Sequence, residues 1–395
     1  MAGYDVIIVG AGAAGLMCAI SAGRRGRRVL IIDHAEKAGA KILISGGGRC
    51  NFTNINTAPD RFLSDNPHFC RSALGRYTPR DFIAMVERHN IAYHEKALGQ
   101  LFCDGSARAI VAMLMAECAA AGVEVRLGVR ALDVTRDGRF RVAVQGGAVP
   151  GGAVSAESVV LATGGLSIPK LGATGFAYDM ARKFGLRMVP PRPGLVPLTV
   201  DGALLATMQG LAGVSFDCAA SIGKARFVER ALFTHRGLSG PAILQISTAW
   251  RAGAVCLDLL PGVDAAEFLL GRKAARPRAE LKGVLAEVLP ARLAAVFGAE
   301  VADGMRLADV PDRVLRGLAA RLAAWRVEPV GTEGYAKAEV TAGGVDTRDL
   351  SSKTMMANAV PGLFVIGEAV DVTGWLGGYN FQWAWASGWC AGKVV

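Results

Sequence analysis

Cysteine pairs with the spacing of a metal or redox site are absent from this sequence. It contains eight cysteines, but none of them forms a Cys-x-x-Cys pair or has metal-ligand spacing. Disulfide frameworks belong to oxidising compartments, whereas thiols of cytoplasmic proteins stay reduced. We therefore interpret these residues as reduced thiols of a cytoplasmic protein, and we expect no metal site.

Long apolar runs are also absent. The longest stretch without a charged residue is Val372–Gly392, which includes glycine, asparagine, glutamine, serine and tryptophan. This composition makes a poor membrane span, so we interpret the stretch as protein buried around a cofactor. The first residues lead directly into a strand pattern. We therefore expect neither a signal peptide nor a membrane partner.

Acidic residues are too few to balance the basic ones. The chain of 395 residues has 44 Lys and Arg against 34 Asp and Glu, which gives a formal net charge of +10. Such an excess indicates either a phosphate-binding face for nucleic acid or a solvated basic surface. Acids are interspersed and no RNA-binding module is visible, so composition alone favours the solvated surface. The basic residues form four groups: Arg24, Arg25, Arg27 and Arg28; Arg71, Arg76 and Arg80; Arg182, Lys183, Arg187 and Arg192; and Arg272, Lys273, Arg276 and Arg278.

The sequence does contain a dinucleotide-binding pattern at its start. The apolar residues Val6–Val9 run into Gly10-Ala11-Gly12-Ala13-Ala14-Gly15, and a later strand, Val29–Ile32, ends at Asp33. In this pattern the first glycine permits a tight turn, the second lets the backbone approach a pyrophosphate, and the third lets helix and strand pack closely. The helix N-terminus offers N–H groups to phosphates, and the acid can hold ribose hydroxyls. The pattern alone does not decide between FAD and NAD.

Periodicity along the chain predicts a nucleotide-binding fold interrupted by an insertion. Hydrophobic residues make up 52% of the chain and charged residues 20%, as in a globular α/β protein of about two or three domains. Glycine-punctuated strands are predicted from about residue 195 to 260, and helices from 264 to 325. Further strands are predicted at Val123–Leu127, Ala131–Thr135, Phe140–Gln145, Ser158–Leu161 and Leu363–Gly367, and further helices at Asp81–His89, Ala107–Ala121 and Phe381–Ala391.

These patterns predict four segments. Residues 1–190 begin the nucleotide-binding domain and residues 343–395 complete it. Residues 191–262 with about 327–342 form an inserted β domain, and residues 263–326 form a helical insert. No second Gly-x-Gly-x-x-Gly occurs, so NAD(P)H would have to dock transiently as a reductant rather than occupy its own domain.

Two more strand ends extend the predicted site. One strand ends at Ala162-Thr163-Gly164-Gly165, whose small residues suit close passage of a ligand, and another at Gly367-Glu368, with Asp371 beyond. In an open parallel sheet, ligands lie at the carboxyl ends of the strands, so all three ends can contact one extended molecule. An acid at the third end suits the hydroxyls of a ribityl chain, which FAD has and NAD lacks. We therefore expect FAD.

A triple-glycine loop follows the second strand. Lys41 precedes Ser45-Gly46-Gly47-Gly48-Arg49-Cys50-Asn51, and three consecutive glycines make a backbone that can lie flat on a ligand. Arg49 and Lys41 can neutralise phosphate, and Asn51 can hydrogen-bond to a ring. Cys50 is a candidate proton donor, although a small buried residue is an equally good interpretation. His235 is the other acid–base candidate, against a purely structural role.

The charge-free stretch near the C-terminus supplies a last candidate contact. Gly377 and Gly378 precede a helix that begins near Tyr379 and Asn380. The positive N-terminal end of such a helix could face the pyrimidine side of a flavin, where negative charge collects on reduction. Trp375 and Tyr379 could border the ring, whereas Trp383 and Trp385 are expected to pack in the core.

With these residues, the chain resembles the aminoacetone oxidase-like flavoproteins, and within them the YhiN-type branch. The resemblance rests on Ser45–Asn51, Thr234–Pro241, Glu339–Val345 and Gly374–Gly388, and it extends over essentially the whole chain. It implies an α/β fold: a glutathione-reductase-like FAD-binding Rossmann domain with an inserted β-barrel and a small helical domain. One departure is Ile168, where many relatives carry an aromatic residue, so no substrate transfers directly.

The resemblance also implies the chemistry. Members of the family are implicated in oxidation of small amines or aminoketones and in NAD(P)H-driven reduction of conjugated C=C bonds in steroids. The branch is implicated in reduction of a ribosomal-RNA uridine to dihydrouridine. Combining the motifs with the resemblance, we expect FAD contacts at Gly10, Gly12, Ala13, Ala14, Gly15, Asp33, His34, Lys41, Ser45, Gly46, Gly47, Gly48, Arg49, Cys50, Asn51, Ala162, Thr163, Gly164, Gly165, Gly367, Glu368, Asp371, Gly377, Gly378, Tyr379 and Asn380.

The sequence therefore predicts an FAD-dependent oxidoreductase in which flavin N5 exchanges a hydride with substrate. We favour reduction of an activated C=C bond, with a uridine of ribosomal RNA as the leading substrate. One alternative is an oxidase of a small amine or aminoketone that uses O2. Another is an FAD-holding RNA-binding factor without turnover.

Overall fold

The chain folds into two units. The computed structural model describes residues 3–147 and 152–395. One unit consists of Met1–Pro193 with Val340–Val395, and the other of Gly194–Glu339. The first unit is therefore discontinuous in sequence, as the interrupted nucleotide-binding fold requires. The second unit includes most of the residues assigned above to the β insert and the helical insert.

The first unit contains both strands and helices. Its strands are β1 Tyr4–Val9, β2 Val29–Asp33, β3 Asn51–Asn54, β4 Phe62–Leu63, β5 Tyr93–Glu95, β6 Gln100–Cys103, β7 Glu124–Leu127, β8 Arg130–Asp137, β9 Arg139–Gln145, β10 Ala153–Leu161, β11 Met188–Gly194, β19 Val340–Val345, β20 Leu363–Val365 and β21 Thr373–Gly374. Its helices are α1 Ala13–Gly23, α2 Ala40–Ile44, α3 Cys70–Arg76, α4 Pro79–Arg88, α5 Arg108–Ala120, α6 Phe176–Lys183 and α13 Tyr379–Gly392.

The second unit holds the remaining elements. Its strands are β12 Leu198–Thr199, β13 Ser215–Ile222, β14 Ala225–Thr234, β15 Gly237–Ser239, β16 Val255–Asp258, β17 Trp325–Val327 and β18 Gly331–Thr332. Its helices are α7 Gly202–Gly210, α8 Pro241–Ala249, α9 Ala265–Ala275, α10 Leu281–Leu285, α11 Ala291–Ala302 and α12 Asp312–Ala323.

A parallel sheet forms the centre of the first unit. Its strands lie in the order β7-β2-β1-β10-β20, and the antiparallel strands β9 and β8 extend it beyond the first half of β10. The register pairs Val9 with Leu161 and Leu161 with Val365, so β1, β10 and β20 end side by side. The β1 and β2 runs are apolar because helices cover both faces of such a sheet. The predicted meeting of first and last segments on one sheet is confirmed.

The C-terminal helix packs directly on the first helix. A Cβ on Gly388 would overlap the carbonyl oxygen of Ala14, and one on Gly392 would come within 2.5 Å of the carbonyl oxygen of Cys18. Glycine at these two positions lets the backbones of α13 and α1 approach closely. The charge-free stretch is thus core, as predicted, and Trp383 and Trp385 are 1% and 0% exposed.

Buried side-chain hydrogen bonds join α13 to β3. The Thr53 hydroxyl donates to Gln382 Oε1 over 2.7 Å, and the Trp385 indole N–H donates to the Phe52 carbonyl over 2.8 Å. Gln382 is completely buried, so its amide must be satisfied inside the protein, and its Nε2 donates to the Tyr77 carbonyl. These bonds hold the segment after the triple-glycine loop beside the start of α13.

The second unit contains a seven-stranded antiparallel sheet in the order β17-β16-β13-β14-β15-β12-β18. Helices α9, α10, α11 and α12 follow β16 in the sequence. Two details differ from the sequence expectation. Helices α7 and α8 interrupt a stretch predicted as strands only, and Trp325, predicted as the end of a helix, begins β17. Trp325 is 7% exposed, because its ring packs edge-on against Phe297 of α11.

Two remaining features concern the state of the cysteines and the length of the helices. All eight cysteines are free thiols, and seven of them are buried. Across residues 3–147 and 152–395, no helix combines the length and the apolar character that crossing a bilayer requires.

Candidate functional site

The turn after β1 has the geometry that its three glycines predict. Gly10 has a φ of 116°, and a Cβ on it would overlap the carbonyl oxygen of Ala162. A Cβ on Gly15 would overlap the carbonyl oxygen of Gly10. At Gly12, by contrast, an added Cβ would meet no atom within 4 Å. The turn is thus crowded on its protein side and open at Gly12, the position where the pattern places a pyrophosphate.

Asp33 holds the shape of this turn. Its Oδ2 accepts from the Ala11 N–H over 2.7 Å, and its Oδ1 accepts from the Ala35 N–H over 2.8 Å. Its side chain remains 16% exposed, with His34 Nδ1 at 3.5 Å from Oδ1. Because each carboxylate oxygen has two lone pairs, Asp33 can still accept from a ribose hydroxyl.

A cavity of about 230 Å³ lies beside this acid. It is bordered by Gly10 and Asp33, by Val129–Ala131 after β7, and by Thr174–Phe176 at the start of α6. The sequence analysis missed the last two groups. The group Val129–Ala131 could have been predicted, because β7 is the parallel neighbour of β2 and its carboxyl end lies at the same edge of the sheet.

Thr163 also borders the cavity and has an unsatisfied hydroxyl. Its Oγ1 is buried and has no hydrogen-bond partner within the described part of the chain. Buried hydroxyls are nearly always paired, so an orphan that lines a cavity is expected to bond a ligand. The neighbouring Ala162 is tied to the sheet through its N–H, which donates to the Val9 carbonyl over 2.9 Å.

Glu368, the acid at the third strand end, belongs to a network of polar side chains. Glu368 Oε2 accepts from Lys41 Nζ over 2.7 Å, and Glu368 Oε1 accepts from the Ser167 hydroxyl over 3.0 Å. Lys41 Nζ also donates to Ser167 Oγ, over 2.6 Å. Glu368 was predicted to bind ribityl hydroxyls, but its carboxylate is already engaged by this lysine and this serine. Its side chain is 19% exposed, which leaves lone pairs for a ligand.

Thr341 completes this network, and the sequence analysis missed it together with Ser167. The Thr341 N–H donates to Glu368 Oε1 over 2.8 Å, and its hydroxyl accepts from the Leu166 and Ser167 N–H groups. Gly165 is required here, because a Cβ would come within 2.7 Å of Glu368 Oε1. Lys41, Glu368 and Thr341 are far apart in the sequence, so no local pattern could have revealed the network.

The triple-glycine loop is exposed and has left-handed backbone. Gly46, Gly47 and Gly48 have φ values of 56°, 67° and 85°, which only glycine adopts without strain. Ser45 is half-buried and its hydroxyl donates to the Ile42 carbonyl over 2.8 Å, whereas Arg49 is exposed. The loop therefore presents backbone and one guanidinium group to solvent, as the prediction of a flat ligand-facing surface requires.

Cys50 at the end of this loop is sealed inside the protein. It is 0% exposed, and burial raises the pKa of its thiol to about 12. Zero exposure means that no bound molecule can contact Cys50 without a rearrangement. The geometry favours the interpretation of Cys50 as a small buried residue over that of a proton donor, and it removes Cys50 from the surface available to FAD.

Side-chain amides build the turn before α13. Asn54 Nδ2 donates to the Gly377 carbonyl over 2.8 Å, and the Asn51 and Gln100 amides lie 3.2 Å apart beside this turn. Gly377 and Gly378 have φ values of 110° and 96°. Asn51 is 9% exposed, so its main contacts are within the protein.

Asn380 and Tyr379 at the start of α13 also have structural partners. The Asn380 amide bonds the N–H and the carbonyl of Gly374, both over 2.8 Å. Tyr379 is 6% exposed and packs edge-on against Phe62. Trp375 is half-buried, with the Arg61 guanidinium 4.4 Å from its ring centroid. Trp375 and Asn380 are therefore partly exposed and able to border a ligand, whereas Tyr379 is buried.

Asp371 is not brought to the open edge of the sheet. It is 4% exposed, and its Oδ2 accepts from the Asp65 N–H over 2.9 Å. Burial raises the pKa of its carboxyl. The predicted cofactor contact at Asp371 is therefore corrected to a structural role, because the carboxylate fixes the loop after β4.

His235 lies in the second unit, in the turn between β14 and β15, and is exposed. Its backbone carbonyl accepts from Gln209 Nε2 over 3.3 Å. The imidazole is therefore accessible to a substrate.

The described edge of the first unit fits FAD by three features. The turn is open at Gly12, Thr163 has an orphan hydroxyl, and a cavity adjoins Asp33. Comparison with known proteins gives the same assignment. The family described as HI0933-like protein Rossmann domain matches residues 4–394.

The chain belongs to the HI0933-like family. It is an FAD-dependent oxidoreductase with a Rossmann-type FAD-binding domain. The predicted fold class, with its Rossmann-type FAD-binding domain, is thereby confirmed.

Three relatives align over nearly their whole length. A ribosomal RNA dihydrouridine synthase of Escherichia coli is 52% identical, covering 99% of this chain and 98% of that protein. A ribosomal RNA dihydrouridine synthase of Haemophilus influenzae is 46% identical, covering 98% and 97%. A 3-dehydro-bile acid delta(4,6)-reductase of Clostridium scindens is 30% identical, covering 98% of each protein.

A solved structure shows the same fold at low identity. The 3-ketosteroid-delta4-(5alpha)-dehydrogenase of Rhodococcus jostii has a TM-score of 0.51 and 15% identity, covering 99% of this chain and 96% of that one. At this identity the likeness concerns the fold alone.

Proposed function

We propose that this enzyme reduces a uridine of ribosomal RNA to dihydrouridine, with FAD as cofactor and NAD(P)H as reductant. The observation that carries the proposal is the similarity to two proteins named ribosomal RNA dihydrouridine synthase, at 52% and 46% identity over nearly the full length of each chain. The net charge of +10 supports a polyanionic substrate. We place the enzyme in the cytoplasm, where such a substrate is found.

Conversion of uridine to dihydrouridine adds one hydride and one proton across a C=C bond. FAD, when bound, supplies the hydride transfer that no amino-acid side chain can provide. We propose that the open turn at Gly12 and the N-terminus of α1 hold the pyrophosphate, and that Asp33 holds the adenosine ribose. Thr163 then gains the partner that its hydroxyl lacks in the structure.

The ribityl and flavin end of the cofactor would lie along the other two strand ends. Lys41 and Glu368 are held 2.7 Å apart and both remain partly exposed, at 31% and 19% of their side chains. We propose that Glu368 accepts from ribityl hydroxyls while Lys41 adds positive charge at this edge. We propose that the turns at Gly46–Gly48 and Gly377–Gly378, whose φ values are positive, would offer backbone rather than side chains to the ring.

The proton must come from a group that reaches the substrate. Cys50 is 0% exposed and the pKa of its thiol is raised to about 12, so it is poorly suited to this step. His235 is exposed and is the better candidate of the two. We propose His235 as the proton donor.

NAD(P)H is proposed to dock transiently. The sequence contains one Gly-x-Gly-x-x-Gly pattern, and we assign that pattern to FAD binding. The reductant would then deliver its hydride and leave before the substrate base enters.

The test uses the purified yellow protein under anaerobic conditions. NADPH or NADH should bleach the flavin absorbance, and unmodified ribosomal RNA should restore it with formation of a nucleoside heavier than uridine by two hydrogen atoms. Absence of bleaching by either reductant overturns the reductase assignment. Bleaching of the flavin by aminoacetone, with reoxidation by O2 and not by RNA, would instead support a small-molecule oxidase.

A further inference from the structure

The basic groups of the sequence differ in how the structure neutralises them. In the first group, Arg24, Arg27 and Arg28 form ion pairs with Glu117, Glu157 and Asp5. In the third group, Arg182, Lys183 and Arg187 pair with Asp179, Asp133 and Asp349. In the fourth group, Arg272 and Arg276 share Glu287, and Lys273 pairs with Asp312. Most of the positive charge noted in the sequence is therefore balanced locally.

The second group is the exception. Within residues 3–147 and 152–395, none of Arg71, Arg76 and Arg80 has a carboxylate oxygen within 4.0 Å, and all three are exposed. Arg76 is the last residue of α3, where it is favoured by the negative end of the helix dipole. The helix dipole accounts for an arginine at this position, but it does not account for the two other unpaired arginines of the group.

Arg76 and one lysine lie at the ring of one tryptophan, and a second lysine contacts Arg76 through its backbone carbonyl. The Arg76 guanidinium carbon lies 5.3 Å and Lys393 Nζ lies 4.9 Å from the ring centroid of Trp389. Arg76 Nη1 also donates to the Lys353 carbonyl. Like Arg76, both lysines are exposed and have no carboxylate partner in the described part of the chain. We call Arg76, Lys353, Lys393 and Trp389 the Trp389 patch.

The Trp389 patch has the chemistry of a surface that binds a nucleic-acid backbone. Unpaired cations can release phosphate counterions without first breaking an ion pair, and this release supplies most of the sequence-independent affinity for RNA. The half-buried ring of Trp389 beside these cations adds an aromatic surface on which an unpaired base can stack. An acidic protein would be attracted to the cations but would not require the ring.

The patch lies at a useful distance from the flavin end of the site. Helix α13 begins beside the Gly377–Gly378 turn and ends at Gly392. At about 1.5 Å per residue, its length is about 20 Å. A cation cluster at that distance can bind backbone phosphates remote from the reacting base and can thereby orient a large substrate.

We propose that the Trp389 patch binds the phosphate backbone of the RNA substrate. The choice of RNA as partner rests on the proposed function. The patch would act in affinity and orientation, while the reaction itself takes place at the opposite end of α13.

The test compares two triple variants of the full-length, FAD-loaded protein. The patch variant is Arg76→Gln, Lys353→Gln and Lys393→Gln. The control variant is Arg27→Gln, Arg182→Gln and Arg276→Gln, which removes the same number of positive charges from residues that form ion pairs. Binding of a fluorescein-labelled RNA hairpin is measured by anisotropy over a series of salt concentrations. FAD content and thermal unfolding are measured in parallel to establish that both variants fold.

The patch variant should bind the hairpin more weakly than the wild type. Its slope of log affinity against log salt should become shallower by about 2, because each phosphate that a cation neutralises contributes ~0.7–0.9 to that slope. The slope of the control variant should change less than half as much. Bleaching by NAD(P)H should be unchanged in both variants. A patch variant with the affinity and slope of the wild type, or a control variant whose slope changes as much as that of the patch variant, overturns the proposal.

The two proposals fail separately. If the wild type forms dihydrouridine but the patch variant binds RNA normally, the patch proposal is wrong and the proposed function stands. If the wild type forms no dihydrouridine while the patch variant alone loses hairpin binding, the proposed function is wrong and the RNA-binding surface stands. A second variant, Trp389→Leu, should weaken binding to a single-stranded RNA about tenfold, since stacking contributes ~1–3 kcal/mol per base.

Discussion

At the scale of single residues, three glycines of one motif have three different surroundings. The positions of Gly10 and Gly15 have no room for a side chain, whereas the position of Gly12 is open in the protein without ligand. Gly12 also has a φ of −85°, which any residue can adopt. The motif therefore combines two glycines that the fold needs with one that only the ligand needs.

This difference predicts opposite effects of two matched substitutions. Gly12→Ala should leave the thermal unfolding of the FAD-free protein unchanged and should weaken FAD binding at least tenfold, because the added methyl group occupies the space for the pyrophosphate. Gly15→Ala should lower the free energy of unfolding of the FAD-free protein by about 1–3 kcal/mol, because it forces α1 away from the turn. FAD titration by fluorescence quenching and urea denaturation measure the two quantities. Equal loss of stability in both variants would contradict the separation of roles.

The two candidate acids are also separated at this scale. Cys50→Ala should keep FAD and should lower the rate of dihydrouridine formation less than twofold, because the thiol is sealed from solvent. His235→Gln should keep FAD and bleaching by NAD(P)H, but should slow reoxidation by RNA by about 10²–10⁴-fold if its imidazole donates the proton. Single-turnover reoxidation in stopped flow measures both rates. A defect in the Cys50 variant with full FAD content would restore Cys50 as the acid.

At the scale of elements, the edge of the sheet is assembled by contacts between distant segments. Lys41 after β2 and Glu368 after β20 are 327 positions apart, yet their side chains form one ion pair. Asp371 also joins distant segments, because its carboxylate accepts a hydrogen bond from the N–H of Asp65 in the loop after β4. The strands bring their carboxyl ends together, and these side chains then fix the loops that follow them.

The buried carboxyl of Asp371 predicts a pH dependence of stability. Burial, as the largest cause, raises the pKa of Asp371 above its usual value of 3.8 in the folded protein. The folded state therefore binds this proton more tightly than the unfolded state does. The resulting stabilisation is fully present below pH 3.8 and is lost as the pH rises through the folded pKa.

Asp371→Asn isolates this effect, because the amide oxygen can still accept from the Asp65 N–H. The free energy of unfolding of the wild type minus that of the variant should fall as the pH rises from below the usual aspartate pKa to neutrality, and should then stay constant. Urea denaturation at a series of pH values measures the difference and cancels the contributions of all other acids. A difference that is independent of pH, or that rises with pH, would show that Asp371 does not titrate as proposed.

At the scale of the whole molecule, the second unit is inserted at a single place in the first. The Asp346 N–H donates to the Arg187 carbonyl over 2.9 Å, and a Cβ on Gly343 would come within 2.5 Å of the Pro190 carbonyl oxygen. The residue number therefore rises along β11 as it falls along the neighbouring β19, so the two strands are antiparallel. Continued to the ends of the two segments, they bring Pro193 close to Val340.

The insertion can therefore be removed without opening the first unit. Replacing residues 194–339 by a two-residue Asn-Gly turn should give a folded protein that still binds FAD, because a turn of this kind closes an antiparallel pair. The shortened protein should unfold cooperatively, and FAD at 100 times its dissociation constant should add about 2.7 kcal/mol to its stability. It should no longer form dihydrouridine, since His235 is absent. A shortened protein that fails to fold in the presence of FAD would mean that the first unit depends on the second.

The extent to which the sequence predicted this structure follows from the range of the interactions. The β1–α1–β2 unit, helices α4, α5 and α13 and strands β7, β8, β9 and β20 were predicted, because their patterns are local. Helices α3, α6, α7 and α8 were missed, and the last helix of the insert was extended through Trp325. Antiparallel pairing with Leu257 of β16 places Trp325 in a strand instead, and such a distant pairing leaves no local trace in the sequence.

The sequence by itself determined that this chain binds a dinucleotide at the edge of a parallel sheet, because glycine spacing and strand-end acids are properties of short segments. The tertiary structure alone decided which of the candidate groups are open to a ligand. Burial closed Cys50 and Asp371, Lys41 and Ser167 engaged Glu368, and Thr163 was left without a partner. It also decided which basic groups keep an unbalanced charge, because an ion pair depends on residues that meet only when the chain has folded.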